Sequence, residues 1–294
     1  VEQTETRVRE CLERARGAEL PGLPDPERDV HALLGGRVDR EWEGRADRSS
    51  IIVGTQDQLL SRALNRGYGM SRFMWPVHLA LLGNDCHWIF DEVQLMGPGL
   101  STSVQLQAFR ERLGAYGPAR STWMSATLDR TRLDTVDGRG RNWTTLGLLD
   151  DDRNHPQLAA RWGARKPLLQ AGAAVGDTRR QAKEVIDAHV AGSLTLVVVN
   201  QVQRAQELFA ALQRVAKEVP VRLVHSRFRP AERGAVQAEV LRSGWSGILV
   251  ATQAIEAGVD LSARTLFTEL APWSSLVQRF GRLNRPGEHA DGVA

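Results

Sequence analysis

The chain has 294 residues, of which 42% are apolar and 25% are charged, fractions that are ordinary for a globular protein with a buried core. No apolar run approaches the roughly 20 residues that a membrane-spanning helix needs, and no signal-peptide pattern is present, so we expect no membrane contact. Two cysteines exclude a disulfide framework and favour a reducing, cytoplasmic setting. A net charge of +3 does not by itself demonstrate nucleic-acid binding.

Short apolar runs alternate with longer amphipathic stretches along the chain. The runs rich in β-branched and aromatic residues are predicted strands: residues 50–53, 87–90, 122–124, 194–199, 221–224, 248–251 and 266–268. The predicted helices between them include residues 56–64, 101–113, 201–217 and 230–242. This alternation predicts an α/β fold with mostly parallel sheets. We interpret residues 17–49 as an irregular surface insertion and residues 134–176 as an irregular connection that contains a domain boundary.

Two carboxylates, Asp91 and Glu92, directly follow the predicted strand 87–90 and are themselves followed by Val93 and Gln94. In open α/β sheets, ligands bind at the carboxyl ends of the strands. An aspartate there can hold magnesium, and the next glutamate can polarise an attacking water. The ordinary alternative is an acidic pair that closes a strand at the surface.

Hydroxyl and carboxyl groups follow two further predicted strands. Ser125 and Thr127 come after strand 122–124, where their hydroxyls can hydrogen-bond to carboxylates at the neighbouring strand tip, although such residues are also common in turns. Thr252 follows strand 248–251, and Gly258 then permits a turn that presents Asp260. The Asp260 carboxylate could accept a ribose hydroxyl or an arginine, and an ordinary helix end is the alternative.

Three arginines at spacing three, Arg279, Arg282 and Arg285, lie in the segment that begins at Gln278. On a helix this spacing predicts that all three lie near one face. Like charges at this distance repel unless an anion or carboxylates lie opposite, and a guanidinium group matches phosphate with two hydrogen bonds. The alternative is a solvated basic helix face.

These four segments, in this order, resemble motifs II, III, V and VI of the superfamily-two helicases. Finer features resemble the CRISPR-associated helicase of type I interference systems. Residues 224–228 with Arg233 are similar to that family's segment before motif V, and residues 270–277 are similar to its approach to motif VI. Residues 53–60 resemble its motif Ic region, and residues 1–4 resemble the end of its motif Ia.

The resemblance implies two tandem RecA-like domains. Residues 1–168 would form the first domain, incomplete at its N-terminus, with motifs Ic, II and III, and residues 169–294 the second, with motifs IV, V and VI. It implies an ATP- and Mg²⁺-dependent helicase of antiviral CRISPR interference, with ATP in the cleft between the domains. The implied partners are single-stranded DNA and an RNA-guided surveillance complex, and the motor is expected to act as a monomer.

The resemblance also assigns roles to individual residues. Asp91 would hold magnesium, Glu92 would be the base that activates water, and Gln94 would link the nucleotide state to the second domain. The other implied roles are coupling of hydrolysis to movement for Ser125 and Thr127, nucleotide contact for Gly258, Asp260 and Gln278, γ-phosphate contact for Gln278, Arg282 and Arg285, and nucleic-acid contact for Thr55, His225, Arg227 and Thr252.

Two departures qualify the resemblance. Gln94 stands where histidine is common in motif II, and no G-x-x-x-x-G-K-[ST] phosphate loop occurs in the chain. We therefore expect that the chain begins after that loop, and that alone it has little ATPase activity and tends to aggregate. Three alternatives stay open: another superfamily-two RNA helicase, a restriction-type translocase, and a non-hydrolytic remnant that binds nucleic acid.

Overall fold

The computed structural model describes residues 2–18, 20, 22–125, 127, 129–242, 244–256, 259–289 and 292–293, without the side chains of Gln157 and Pro230. The chain divides into two compact units, Val1–Thr144 and Thr145–Ala294, and each is described by itself. None of the described helices is long and apolar enough to cross a membrane.

The first unit combines short strands with helices of two to four turns. Its helices are α1 (Glu2–Gly17), α2 (Gln56–Ala63), α3 (Trp75–Gly83) and α4 (Pro98–Leu113), and its strands are β1 (Val30–Leu34), β2 (Arg37–Val38), β3 (Ile51–Gly54), β4 (Cys86–Phe90) and β5 (Ala119–Trp123). One sheet has the order β2-β1-β3, in which β1 pairs parallel to β3 and antiparallel to β2. Strands β4 and β5 form a separate parallel pair.

The core of the first unit contains an aromatic stack that spans β4 and β5. The ring centroids of Trp88 and Phe90 lie 5.4 Å apart, and those of Phe90 and Trp123 lie 5.7 Å apart. Leu100 and Val104 of α4 are fully buried against this cluster. Aromatic pairs of this geometry stabilise by about 0.5–1.5 kcal/mol beyond the area that they bury, so the ends of β4 and β5 are held firmly.

The interpretation of residues 17–49 as a surface insertion is wrong. Strand β1 lies in this segment and is buried, with Val30, Ala32 and Leu33 almost fully inaccessible. Its backbone pairs with β3 from Val30 opposite Ile51 to Leu33 opposite Gly54. The strand escaped prediction because it is short and stands among prolines and charged residues, which are typical of loops.

The second unit is built on a parallel sheet. Its helices are α5 (Asp150–Arg153), α6 (Pro156–Gly163), α7 (Thr178–Asp187), α8 (Val202–Val215), α9 (Pro230–Val240) and α10 (Trp273–Phe280), and its strands are β6 (Leu194–Val198), β7 (Val221–Val224), β8 (Gly247–Ala251) and β9 (Thr265–Thr268). The strand order is β7-β8-β6-β9, with every neighbouring pair parallel. The predicted α/β fold with mostly parallel sheets is confirmed.

Both faces of this parallel sheet are covered. Leu196 and Val198 of β6 pack in one apolar cluster with α9, whereas Val197 packs in another with α7 and α8. A strand that is buried on both faces carries a continuous apolar run. This is why the sequence predicted β6 and β8 so readily.

Residues 145–168 belong to the second compact unit, although the domain boundary was predicted after residue 168. Helices α5 and α6 lie in this segment, so the interpretation of residues 134–176 as wholly irregular is wrong. Backbone and side-chain hydrogen bonds tie the segment down: Gly292 N–H donates to the Arg165 carbonyl (3.2 Å), and Lys166 Nζ donates to the Phe280 carbonyl (3.2 Å). The assignment of the two domains stays a prediction.

Candidate functional site

The first group of candidate residues lies where β4 and β5 end. The two strands pair in parallel with Phe90 opposite Trp123, so the residues that follow them leave the sheet at the same edge. Met124 N–H donates to the Phe90 carbonyl (2.8 Å), and Val93 N–H donates to the Met124 carbonyl (3.1 Å). The two loops that carry the predicted acidic and hydroxyl groups are therefore joined through their backbones.

Glu92 has a left-handed backbone conformation, with φ 51° and ψ 47°. This conformation is uncommon for a residue with a Cβ atom and costs about 1–3 kcal/mol, which surrounding contacts must offset. Here it turns the chain from β4 into a short 3₁₀ helix, Val93–Leu95. Asp91, which is exposed, accepts the Glu92 N–H at Oδ1 (2.9 Å) and so helps to fix the turn.

A chain of hydrogen bonds connects the acidic turn to the hydroxyl loop. Gln94 Nε2 donates to Glu92 Oε2, and Ser125 Oγ donates to Gln94 Oε1 (2.5 Å). Thr127 N–H in turn donates to Ser125 Oγ (3.0 Å). The sequence predicted that hydroxyls reach the carboxylates directly, but the structure inserts the amide of Gln94 between Glu92 and Ser125.

The acidic turn suits magnesium in one respect. Among the described residues, no group of three His, Cys, Asp or Glu side chains could hold a metal ion. Magnesium in nucleotide-binding enzymes is commonly held by one or two carboxylates, with phosphate and water as the other ligands. A single exposed carboxylate, that of Asp91, is enough for this mode of magnesium binding. The described part of the first unit has no metal site formed by protein side chains alone.

In the second unit, polar residues follow each strand of the parallel sheet at its carboxyl edge. Asn200 follows β6, His225 follows β7, Thr252 follows β8, and Glu269 follows β9. The carboxyl edge of a parallel sheet is where ligands bind in open α/β folds. Two of these residues, Asn200 and Glu269, were not singled out from the sequence.

Arg279 is the centre of a buried polar network at this edge. Its side chain is fully inaccessible, and its Nε donates to Glu256 Oε1 (2.8 Å). Its Nη2 donates to Asn200 Oδ1 (2.9 Å), and its Nη1 donates to Thr268 Oγ1 (2.9 Å) and to the Glu269 carbonyl (3.1 Å). The network joins α10 to the ends of β6, β8 and β9, so it fixes the helix that precedes the other two arginines.

The network extends outward through Glu269. Its Oε2 accepts the Asn200 backbone N–H (2.7 Å) and an Nη2–H of Arg204 (2.7 Å). The Glu269 side chain is 8% exposed, and the Arg204 side chain is 28% exposed. Buried carboxylates need a cation or several donors to offset their desolvation, and Glu269 has both.

The prediction that Arg279, Arg282 and Arg285 share one helix face is wrong. Helix α10 ends at Phe280, and Asn284 has a left-handed backbone with φ 42°. The chain instead turns to place Leu283 in a bridge with Ala263, where the Ala263 N–H donates to the Arg282 carbonyl (2.8 Å). The arginines therefore point to different surroundings.

Arg282 and Arg285 differ sharply in exposure. Arg282 is 9% exposed, and its Nη2 donates to the Glu256 carbonyl (2.9 Å). Arg285 Nη1 donates to Asp260 Oδ1 (2.7 Å), in an ion pair whose side chains are 43% and 48% exposed. Of the two partners that the sequence allowed for Asp260, the structure shows an arginine. Gln278 lies half-buried on α10, and Gly258 lies outside the described residues.

The residues predicted to contact nucleic acid are of two kinds. His225 and Thr252 are buried, and the His225 ring packs on Phe228 with centroids 4.5 Å apart. Burial lowers the pKa of His225, and its Nδ1 accepts the Arg227 N–H (3.3 Å). Arg227 is exposed, and Thr55, at the start of α2, is half-buried. Among these four, Arg227 is the side chain that faces solvent most fully, and their binding role stays a prediction.

Comparison with known proteins shows which proteins this chain is similar to. Residues 191–288 match the family model described as "CRISPR-associated nuclease/helicase Cas3, C-terminal". The chain is 36% identical over 104 residues to the CRISPR-associated helicase Cas3 of Thermoproteus tenax, an alignment that covers 34% of this chain and 18% of the relative. Both matches are to proteins of the Cas3 helicase family, and both cover about a third of this chain. A Cas3 relative from Thermus thermophilus is 28% identical over 324 residues, which cover 87% of this chain and 33% of the relative.

The fold is also similar to that of a solved Cas3 protein. The crystal structure of T. fusca Cas3 superposes with a TM-score of 0.69 at 18% identity, over 100% of this chain and 40% of that protein. The same protein has also been crystallised with ADP and with ATP. This chain thus spans between about a sixth and two fifths of the length of these Cas3 proteins.

Proposed function

We propose that this chain forms the motor of a nucleic-acid-dependent ATPase that moves along single-stranded DNA and unwinds it. The observation that carries the proposal is the hydrogen-bond chain from Glu92 through Gln94 to Ser125, at the carboxyl edge of two parallel strands. A structural acidic pair at a surface needs no such connection. An ATPase needs a residue that positions the attacking water, and this chain of hydrogen bonds positions the Glu92 carboxylate.

In this proposal Glu92 is the general base. Gln94 holds one carboxylate oxygen and so orients the group toward an attacking water, which must lie within hydrogen-bond reach of the other oxygen. Magnesium held at Asp91 would neutralise charge on the β- and γ-phosphates. Because Ser125 holds Gln94 from the other side, a shift of the Ser125–Thr127 loop would change the orientation of Glu92.

The arginines of the second unit are proposed to act on the γ-phosphate. The Arg285–Asp260 pair is nearly half exposed, and pairs of this kind stabilise by about 1 kcal/mol or less. A phosphate can therefore replace Asp260 as the partner of Arg285 at little cost. Arg282 is held by the Glu256 carbonyl and is already ordered before any nucleotide binds. Arginines placed on a transferred phosphoryl group accelerate the transfer by about 10³–10⁵.

The nucleotide, the strand and the biological setting have different support. T. fusca Cas3 has been crystallised with ATP, which supports ATP as the nucleotide here. Single-stranded DNA, and recruitment by an RNA-guided surveillance complex in antiviral defence, are proposed from the resemblance to the CRISPR-associated helicases. The relatives named Cas3 support this setting.

The proposal is tested by Glu92→Gln in the protein that contains this chain. The variant keeps the acceptor for Gln94 but loses the basic oxygen, so it is expected to bind ATP normally and to lose about 10²–10⁴ of the hydrolysis rate. Phosphate release is measured without a strand, with single-stranded DNA and with RNA of equal length. Glu13→Gln, an exposed change on α1, is the matched control. Normal turnover by Glu92→Gln would remove Glu92 from the role of base.

A further inference from the structure

The segment between α2 and α3, residues 64–74, presents large aromatic side chains to solvent; we name it the aromatic loop. Phe73 is 90% exposed, and Tyr68 is 67% exposed. Burying aromatic rings is strongly favoured in water. Two aromatic side chains held outward in one short loop therefore require an explanation other than packing within the chain.

Specific contacts order the backbone of the aromatic loop around Tyr68. The Met70 side chain folds back over Gly67, in the space that a Cβ atom at residue 67 would occupy. Gly69 has a positive φ of 65°, and its carbonyl accepts a hydrogen bond from Arg40 Nη2 (3.3 Å). The turn at Gly69 and its hydrogen bond to Arg40 hold the backbone directly after Tyr68. The ring of Tyr68 is thus presented outward by a defined turn.

The Phe73 end of the loop is ordered in a similar way. Ser71 Oγ accepts the Phe73 N–H (3.4 Å) at the start of a 3₁₀ turn, Arg72–Met74, that leads directly into α3. The Arg72 guanidinium lies 5.9 Å from the Trp75 ring centroid. Phe73 is therefore held at the base of a helix.

The segment that contains the aromatic loop carries positive charge only, and a carboxylate that it meets, Glu43, is paired with His78. Residues 58–84 include no aspartate or glutamate, and Arg66 and Arg72 are both exposed. Neither of these two arginines forms an ion pair with any residue in the described part of the chain. Arg40 adds a third guanidinium group where it reaches the Gly69 carbonyl. A ligand that fits this surface carries negative charge together with flat apolar groups.

We propose that the aromatic loop binds single-stranded nucleic acid, with bases stacked on Tyr68 and Phe73 and phosphates contacted by Arg66 and Arg72. Aromatic rings that stack bases beside arginines that follow the backbone are the means by which proteins hold single strands without reading sequence. The two rings are five residues apart, at most about 18 Å along the chain, so one strand can reach both. This site rests on the proposed function and adds to it a contact outside the predicted residues Thr55, His225, Arg227 and Thr252.

The test uses the full chain and fluorescence anisotropy with labelled oligonucleotides of equal length: oligo-dT, oligo-U and an abasic strand that keeps the phosphates. Tyr68→Ala and Phe73→Ala are each expected to weaken binding of oligo-dT and oligo-U by about fivefold or more, because each removes one stacked base. On the abasic strand both variants are expected to bind as the unchanged chain does. Tyr68→Phe, which keeps the aromatic ring, is expected to bind all three strands as the unchanged chain does.

The matched control is Tyr116→Ala. Tyr116 is 98% exposed in the same unit, outside the aromatic loop, and its neighbour Gly117 lies close to the carboxylate of Asp85. Binding by this variant is expected to match that of the unchanged chain.

The arginines give a separate measurement. Arg66→Ala and Arg72→Ala are each expected to weaken binding to all three strands alike, and to reduce the slope of log K against log salt by about 0.7. Oligo-dT binding that is unaffected by Tyr68→Ala and Phe73→Ala would overturn the site, as would an equal loss on the abasic strand. Either result would leave the proposed ATPase standing, because the Glu92→Gln measurement does not involve the aromatic loop.

Discussion

Removing the Arg279 side chain is expected to destabilise the second unit strongly. In Arg279→Leu, Glu256 keeps a carboxylate whose side chain is 9% exposed but loses its ion-pair partner. Asn200 Oδ1 and Thr268 Oγ1 lose their donors at the same time. Breaking a buried pair in this way costs about 3–5 kcal/mol, because the remaining charge stays desolvated.

The pair can also be removed as a whole. In the double variant Arg279→Leu with Glu256→Leu, no buried charge is left alone, and replacement of a buried pair by apolar groups is often close to neutral. We therefore expect the double variant to be more stable than Arg279→Leu, by about 2 kcal/mol or more. Residual loss would come from the unpaired Asn200 and Thr268 groups.

Hydrogen exchange of the full chain, read on peptides of β6 and β8, measures this stability in the second unit separately from the first. Arg222→Leu is the matched control, since its pair with Glu239 is partly exposed at 39% and 31% and is expected to contribute about 1 kcal/mol or less. The reasoning would be refuted if Arg279→Leu changed protection no more than Arg222→Leu. It would also be refuted if the double variant were as unstable as the sum of the two single changes.

Two further predictions concern the first unit. Ser125→Ala removes the donor to Gln94 and is expected to lower the free energy of unfolding by only about 1 kcal/mol. In this variant, phosphate release stimulated by a nucleic-acid strand is expected to fall more than basal phosphate release. Equal losses in both rates would argue against coupling through Ser125. Burial lowers the pKa of His78, whose Nε2 lies 3.0 Å from Glu43 Oε1, with Arg62 adding to the shift. The unfolded chain then binds the proton more readily, so stability is fully present above pH about 6.5 and is lost as the pH falls below it. Hydrogen exchange of α3 at pH 7.5 and 5.5 measures this loss, and an unchanged pH dependence in His78→Gln would contradict it.

Much of the second unit could be predicted from the sequence because its strands are buried on both faces. A run such as Leu194–Val198 has few other structures available to it. Strand β1 could not be predicted in this way, because it is short, stands among prolines and charged residues, and contains His31. The structure shows that His31 is 2% exposed and that its Nδ1 lies 2.9 Å from Asp39 Oδ2. A polar residue that is buried with its partner breaks the apolar pattern on which prediction depends.

The candidate site shows the same division. Residues that directly follow a strand, such as Asp91 and Thr252, could be located from the sequence because parallel strands end at one edge. The partners of Arg279 could not, since Asn200 is 79 residues away in the chain and meets it only through the sheet. The end of α10 at Phe280 was also missed, because the regular spacing of the arginines suggested a longer helix.

The left-handed backbone of Glu92 lowers the stability of the fold at the residue that is proposed to act as the base. Glycine or asparagine adopts this conformation more readily than glutamate does, so the changes that would relax the turn are also those that remove the carboxylate. The difference, about 1–3 kcal/mol, is a large part of the 5–15 kcal/mol by which folded proteins are typically stable. Under the proposed function, in which Glu92 is the base, each such change would gain stability and lose hydrolysis.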